Sequence, residues 1–152
     1  MSHFNDFETS MTDKEALLRA LVRCDFRAGI LNKNNIECHD NPASLYGYQN
    51  DRRQQTAHVI IRRNHVGGSS NDLGFVQEAS GNYKAIISDF DSSYYNPQWL
   101  GKLTTYYNIE KSKMELDAQN IPYTEVKDAL GRIQLRAKFK TDTNVSRIGV
   151  KR

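Results

Sequence analysis

Long apolar runs are missing from this chain, and no stretch approaches the ~20 residues that a membrane-spanning helix needs. Met1 to Thr12 has neither the basic start nor the apolar stretch of a secretory signal. Cysteine is scarce. Cys24 and Cys38, separated by thirteen residues, make no Cys-x-x-Cys pair, so a disulfide framework is excluded and two free thiols are expected. Cys38-His39 looks like half a metal site, but no second ligand pair follows at the required spacing; no metal and no cofactor are expected. Leu, Ile and Val are modest in number and apolar residues reach only 38%, yet eight Tyr and six Phe supply core volume. A chain of 152 residues with this content is long enough for one folded domain. The expectation is a soluble, cytoplasmic protein: a single α+β domain over residues 1–140 and a basic tail over 141–152.

Motifs of catalysis are equally sparse. Gly67-Gly68-Ser69-Ser70 lacks a following Gly-Lys-Ser or Gly-Lys-Thr and sits between strands, so it reads as a flexible hairpin loop and not as a phosphate loop. His3, His39, His58 and His65 show no His-x-x-x-His spacing. No serine stands at a strand-to-helix elbow. Asp89 and Asp91 flank Phe90 and could share a face and hold a hard cation, but Asp, Ser and Asn after a strand favour a turn. No nucleophile and no general base are assigned, and the protein is expected not to be an enzyme.

What is present is charge, unevenly placed. The last twenty-two residues hold seven Lys or Arg against one acid, a surplus of six; the whole chain carries only +3, so residues 1–130 sum to −3. Within that segment Ile133, Leu135, Ala137 and Phe139 alternate with polar residues. A period of two marks a strand with one buried and one wet face. Arg132, Arg136, Lys138 and Lys140 line the wet face.

Periodicity and punctuation outline the remaining elements. Residues 2–11 suit a first strand. Thr12-Asp13-Lys14-Glu15 reads as a capping box with Thr12 as the cap, opening a helix to about Arg23 with Leu17, Leu18, Leu21 and Val22 as its apolar stripe. Residues 25–55, rich in Asn and Asp and containing Pro42, read as a long loop with a short strand at Leu45 to Tyr48. Strands at 56–62, 73–77 and 83–89 form an antiparallel meander. Asn96-Pro97 starts a second helix, carrying Trp99, Leu100, Leu103, Tyr106, Tyr107 and Met114 and ending near Gln119-Asn120. Tyr123 to Val126 pairs with the basic strand across a turn at 127–131. The expected fold is α+β, an antiparallel sheet with two helices on one face, in the order β-α-β-β-β-α-β-β.

Met1-Ser2-His3-Phe4, the helix at Asp13 to Leu21, Val59-Ile60-Ile61-Arg62-Arg63, Asp72-Leu73-Gly74-Phe75, Asn82-Tyr83 leading to Asp89, Leu103 to Tyr107 and the strand at Gly131 to Arg136 carry a likeness. Through them the chain resembles an uncharacterised family of small proteins, a domain of unknown function encoded by plastid and cyanobacterial genomes and by some bacteria and phages. The resemblance implies an α+β domain and no established activity, catalytic residue or cofactor.

Two kinds of surface could bind a partner. Arg52-Arg53 and Arg62-Arg63 lie at the ends of a hairpin-like region that holds Tyr46 and Tyr48; with the basic strand they could grip phosphates or an acidic surface, and tyrosines could stack on bases. Alternatively these charges only keep strand edges from pairing with neighbours. Tyr94, Tyr95 and Tyr107 around the second helix join Tyr46 and Tyr48 as an aromatic partner surface. The leading expectation is a binding or adaptor protein acting through protein–protein contacts. A nucleic-acid-binding protein is the first alternative, and an oligomeric binder of a small nucleotide-like anion is the second.

Overall fold

The computed structural model describes residues 3–139 and the backbone of the strand Val145–Ile148. The fold is α+β, and the element order follows the expected one in outline. Five strands form one antiparallel sheet: β1 (Phe4–Glu8), β2 (Ile36–Tyr46), β3 (Arg52–Ile61), β4 (Leu73–Gln77) and β5 (Tyr83–Ser88), in the spatial order β1-β5-β4-β3-β2. The helices are α1 (Lys14–Leu21), the single turn α2 (Arg63–Val66) and the long α3 (Pro97–Ala118). A separate three-stranded sheet, β6 (Tyr123–Lys127), β7 (Ile133–Lys138) and β8 (Val145–Ile148), takes up the C-terminal part. The basic strand thus belongs to a second sheet. Its partner β8 lies inside the segment read as a tail.

The meander β3-β4-β5 forms as its alternation requires. Val59, Ile61, Phe75, Ala85 and Ile87 are buried on one face against α1 and α3, which contribute Leu17, Leu21, Trp99, Leu103 and Tyr107. The opposite face is not wet. Ile60 and Ile86 pack there with Leu45 and Ala57, because the far end of the β2–β3 hairpin folds over it. Gly74 makes this fit possible: a Cβ there would stand 2.7 Å from the Ala57 Cβ and 3.0 Å from a Leu45 methyl. Residues 36–46 do not form the expected loop. They make an eleven-residue edge strand, with its register shifted between Cys38 and Ala43, where Pro42 sits. An edge position and a bulge are the two places where a strand tolerates proline.

Helix α3 has the expected start: the Asn96 side chain accepts from the Trp99 amide at 2.9 Å, and Pro97 follows it. The start of α1 corrects the sequence reading. Asp13, not Thr12, is the cap, accepting from the Ala16 amide at 2.9 Å. The amides of Thr12 and Asp13 instead donate to the Tyr107 hydroxyl at 3.0 and 2.9 Å. Glu15 turns away to Arg19 (2.9 Å) and Lys33 (2.6 Å).

The twenty-two residues of α3 reach across both sheets. Its first half closes the main core, and Ile109 and Leu116 pack in a second core with Ile133, Leu135 and Ala137 of β7. A charged cluster fastens the small sheet to the helices. Arg23 bonds Glu110 at 2.7 Å and Glu125 at 2.8 Å, and Lys113 bonds Glu125 at 2.6 Å. Burial alone would raise the Glu125 carboxyl, but the Arg23 and Lys113 bonds hold it below its ordinary value.

Candidate functional site

β7 presents the expected two faces. Ile133, Leu135 and Ala137 are buried against α3, while Arg136 and Lys138 are exposed. Arg136 stands opposite Thr124 of β6 and opposite Arg147 in the register of β8; Lys138 stands opposite Val145. Arg136 and Lys138 lie two apart on one strand and so share the face turned away from α3, which puts two adjacent positive charges on the outer side of β7. Neither Arg136 nor Lys138 forms an ion pair among the described residues. Arg132 is exposed but engaged: its Nε donates to Asp128 at 2.7 Å, and Asp128 also accepts the amides of Leu130 and Arg132 at 2.9 Å each. Those bonds, the Arg132 amide first, hold the Asp128 carboxyl below its ordinary value. Arg132 therefore closes the β6–β7 turn. Lys140 lies outside the described residues.

The arginine pairs separate into different roles. Arg62 is a clamp, not an open anion site. Its Nε and Nη2 grip Glu37 at 2.8 and 2.7 Å, and its Nη1 donates to Asp72 at 2.7 Å and to the Ser44 carbonyl at 3.0 Å. The bond to Glu37 outweighs partial burial and raises its pKa further above the ordinary arginine value. Arg52 donates to Ser44 Oγ at 3.1 Å. Arg53 stacks 5.1 Å over the Phe4 ring, with Asp51 at 3.8 Å. Of these four, only Arg63 keeps a guanidinium without an ion pair or hydrogen bond among the described residues, and with Arg62 it lines a cleft beside Tyr46.

The aromatic surface does not hold together. Tyr95 is fully buried, its ring 4.9 Å from Trp99, and its hydroxyl donates to the Val66 carbonyl at 2.6 Å. Burial pushes that phenol up to about 12. Tyr107 is also buried and holds the entrance to α1 through its hydroxyl. Tyr107 is core because it lies on the inward face of α3, and Tyr95, just before that helix begins, is core because it packs between Phe26 and Trp99. Tyr94 is half-buried beside Arg27. Tyr48 is exposed, and Tyr46 walls the cleft.

Asp89 and Asp91 diverge, as the turn reading requires. Asp89 accepts from Asn5, whereas Asp91 is buried and accepts the Asn71 amide and the Ser88 hydroxyl at 2.9 Å each, with Arg27 at 3.2 Å. The segment Gly67–Ser70 is not a free hairpin loop: it follows α2, and Ser70 is buried with its hydroxyl accepting from Arg27 at 3.0 Å. Sequence reasoning missed Asp72. This buried carboxylate collects Arg62 and the amides of Tyr46 and Arg63, and no local spacing announces it. Among the described residues no three His, Cys, Asp or Glu converge on a metal position, and no helix is long and apolar enough to cross a membrane.

This is an α+β protein in which one long helix joins two antiparallel sheets. Residues 30–135 match the family described as "Protein of unknown function (DUF1257)", and the chain belongs to that family. No curated protein and no solved structure matches it.

Proposed function

We propose that the protein is a non-enzymatic binding protein that docks an acidic protein partner on the outer face of the β6-β7-β8 sheet. The observation that carries this is Arg136 and Lys138, both exposed, neither in an ion pair among the described residues, on the face opposite α3. Unpaired cations on a rigid sheet give long-range attraction and orientation to a partner of opposite charge. The non-enzymatic part of the proposal draws on two candidate catalytic groups that are committed to structure. Ser88 and Asp91 bond each other in the interior, and His58 Nδ1 accepts the Gln77 amide at 2.9 Å.

An acidic protein fits this face better than nucleic acid does. Among the described residues of β6 and β7 its neutral positions are Thr124, Val126 and Gln134, which offer no ring for a base to stack on. Duplex binders commonly neutralise ~6–10 phosphates, and the chain's net charge is +3.

The test is affinity capture from the native host with the intact protein and with Arg136→Gln/Lys138→Gln, each with and without nuclease. Support requires a protein captured by the parent in the presence of nuclease and weakened about tenfold or more in the variant. Equal capture by the variant, or loss of the complex on nuclease treatment, overturns the proposal.

A further inference from the structure

The hairpin turn after β2, the end of β3 and Asp72 enclose a cleft of about 620 Å³, lined by Tyr46, Asn50, Arg62, Arg63, Asn64 and Asp72. That volume lies within the range of small-molecule sites. Its polar groups fall into two sets. Asp72 is fully used: Oδ1 accepts the Arg63 amide at 2.8 Å, and Oδ2 accepts the Tyr46 amide and Arg62 Nη1 at 2.7 Å each. Arg62 is used by Glu37, Asp72 and Ser44. The second set is unspent. Among the described residues, the half-buried Arg63 guanidinium, the side-chain amides of Asn50 and Asn64 and the Tyr46 hydroxyl have no hydrogen-bond partner.

The cleft therefore offers one uncommitted positive charge and a ring of available donors. Its only carboxylate is already covered by three donors, which lowers its repulsion of an anion. A guanidinium in that setting selects an oxyanion, because its parallel N–H groups match two oxygens at once. A lone phosphate would leave most of the volume unfilled. The Tyr46 ring, steadied by Arg62 with Cζ 5.7 Å from its centroid, adds a flat wall on which a planar group can stack. Carboxamides both donate and accept, as base edges require. We propose that this cleft binds a mononucleotide, with the phosphate monoester on Arg63 and the base against Tyr46. It is a different site from the basic sheet face, so either assignment can fail without the other.

Calorimetric titration of the full chain with AMP, adenosine and inorganic phosphate tests the assignment. AMP should bind with a Kd between about 10 μM and 1 mM, tighter than either fragment. Arg63→Gln should weaken AMP about tenfold or more, with the melting temperature unchanged because the guanidinium has no internal partner. Arg63→Lys, which keeps the charge and loses the fork, should fall between the two. Tyr46→Leu should weaken AMP and leave phosphate unchanged. No heat with AMP at ~10 mM, undiminished binding by Arg63→Gln, or phosphate binding as tightly as AMP overturns the proposal.

Discussion

Replacing Arg62 by Met should destabilise the fold, because Arg62 ties the folded-over hairpin to the main sheet. The substitution keeps the aliphatic stem and removes four hydrogen bonds: two to Glu37, one to Asp72 and one to the Ser44 carbonyl. These do not count equally. Glu37 has a side chain 40% exposed and can exchange its partner for water, so its two bonds contribute little net. Asp72 is 1% exposed and would keep only the Tyr46 and Arg63 amides. Breaking a fully buried pair costs ~3–5 kcal/mol; with Arg62 itself 27% exposed, about 2–3 kcal/mol is expected. For a chain of this size that lowers Tm by about 4–12 °C, measurable by circular dichroism or urea titration. Arg62→Lys reaches one carboxylate only and should lose an intermediate amount.

The pH dependence supplies a second check. The Arg62 bond, opposed by burial and aided by His39, holds the Glu37 carboxyl below its ordinary value of 4.5. A depressed carboxylate contributes stability that is complete above its ordinary value and is lost as the pH falls through the folded one. The Glu37 part of the gap between parent and Arg62→Met, a minor one, should thus be steady from pH ~8 to ~5 and fade below that. A variant within ~0.5 kcal/mol of the parent at neutral pH, or a gap that widens on acidification, refutes the clamp.

Asp13→Ala should lower the urea midpoint by the equivalent of ~1 kcal/mol through loss of the α1 cap, while Thr12→Ala, whose side chain is exposed, stays within ~0.5 kcal/mol. Gly74→Ala should destabilise by ~1–3 kcal/mol through the 2.7 Å approach to Ala57, with Ala57→Gly recovering part of it in a double variant. Cys24 is buried, and burial pushes its thiol up to about 12, whereas Cys38 is exposed. Iodoacetamide at pH ~8 should label Cys38 alone in the folded protein and both thiols in urea, as mass spectrometry would show.

Several elements could be read directly from the chain because covalent spacing determines them. The alternation from Ile133 to Lys138 requires a strand with one buried face whatever it packs against, and β7 has that face. Asn96-Pro97 starts α3 by supplying a side-chain acceptor and a residue with no amide to satisfy. The α+β class, the meander β3-β4-β5 and the family resemblance follow from such local signals. The wet cations Arg136 and Lys138 were legible for the same reason.

Other features depend on groups distant in sequence. Arg62 finds Glu37 twenty-five residues before it and Asp72 ten after it; without those partners its local pattern resembles that of Arg63, which stays uncommitted. Thr12 and Asp13 are both good caps by type. The Tyr107 hydroxyl, ninety-four residues from Asp13, takes both backbone amides and leaves the cap to Asp13. Strand β2 was hidden because Asn, Asp and Pro42 speak for a loop, and only an edge position beside β3 makes room for them. Tyr95 and Tyr107 have the composition of a binding surface, and tertiary packing, of Tyr95 against Phe26 and Trp99 and of the inward face of α3, makes them core. Which residues alternate, which turns close and where α3 starts are readable along the chain, since they follow from the geometry of neighbouring bonds. Which charges are spent and which stay unpaired follows only from the folded chain, since a side chain's free valence depends on what distant residues bring within about 3 Å of it.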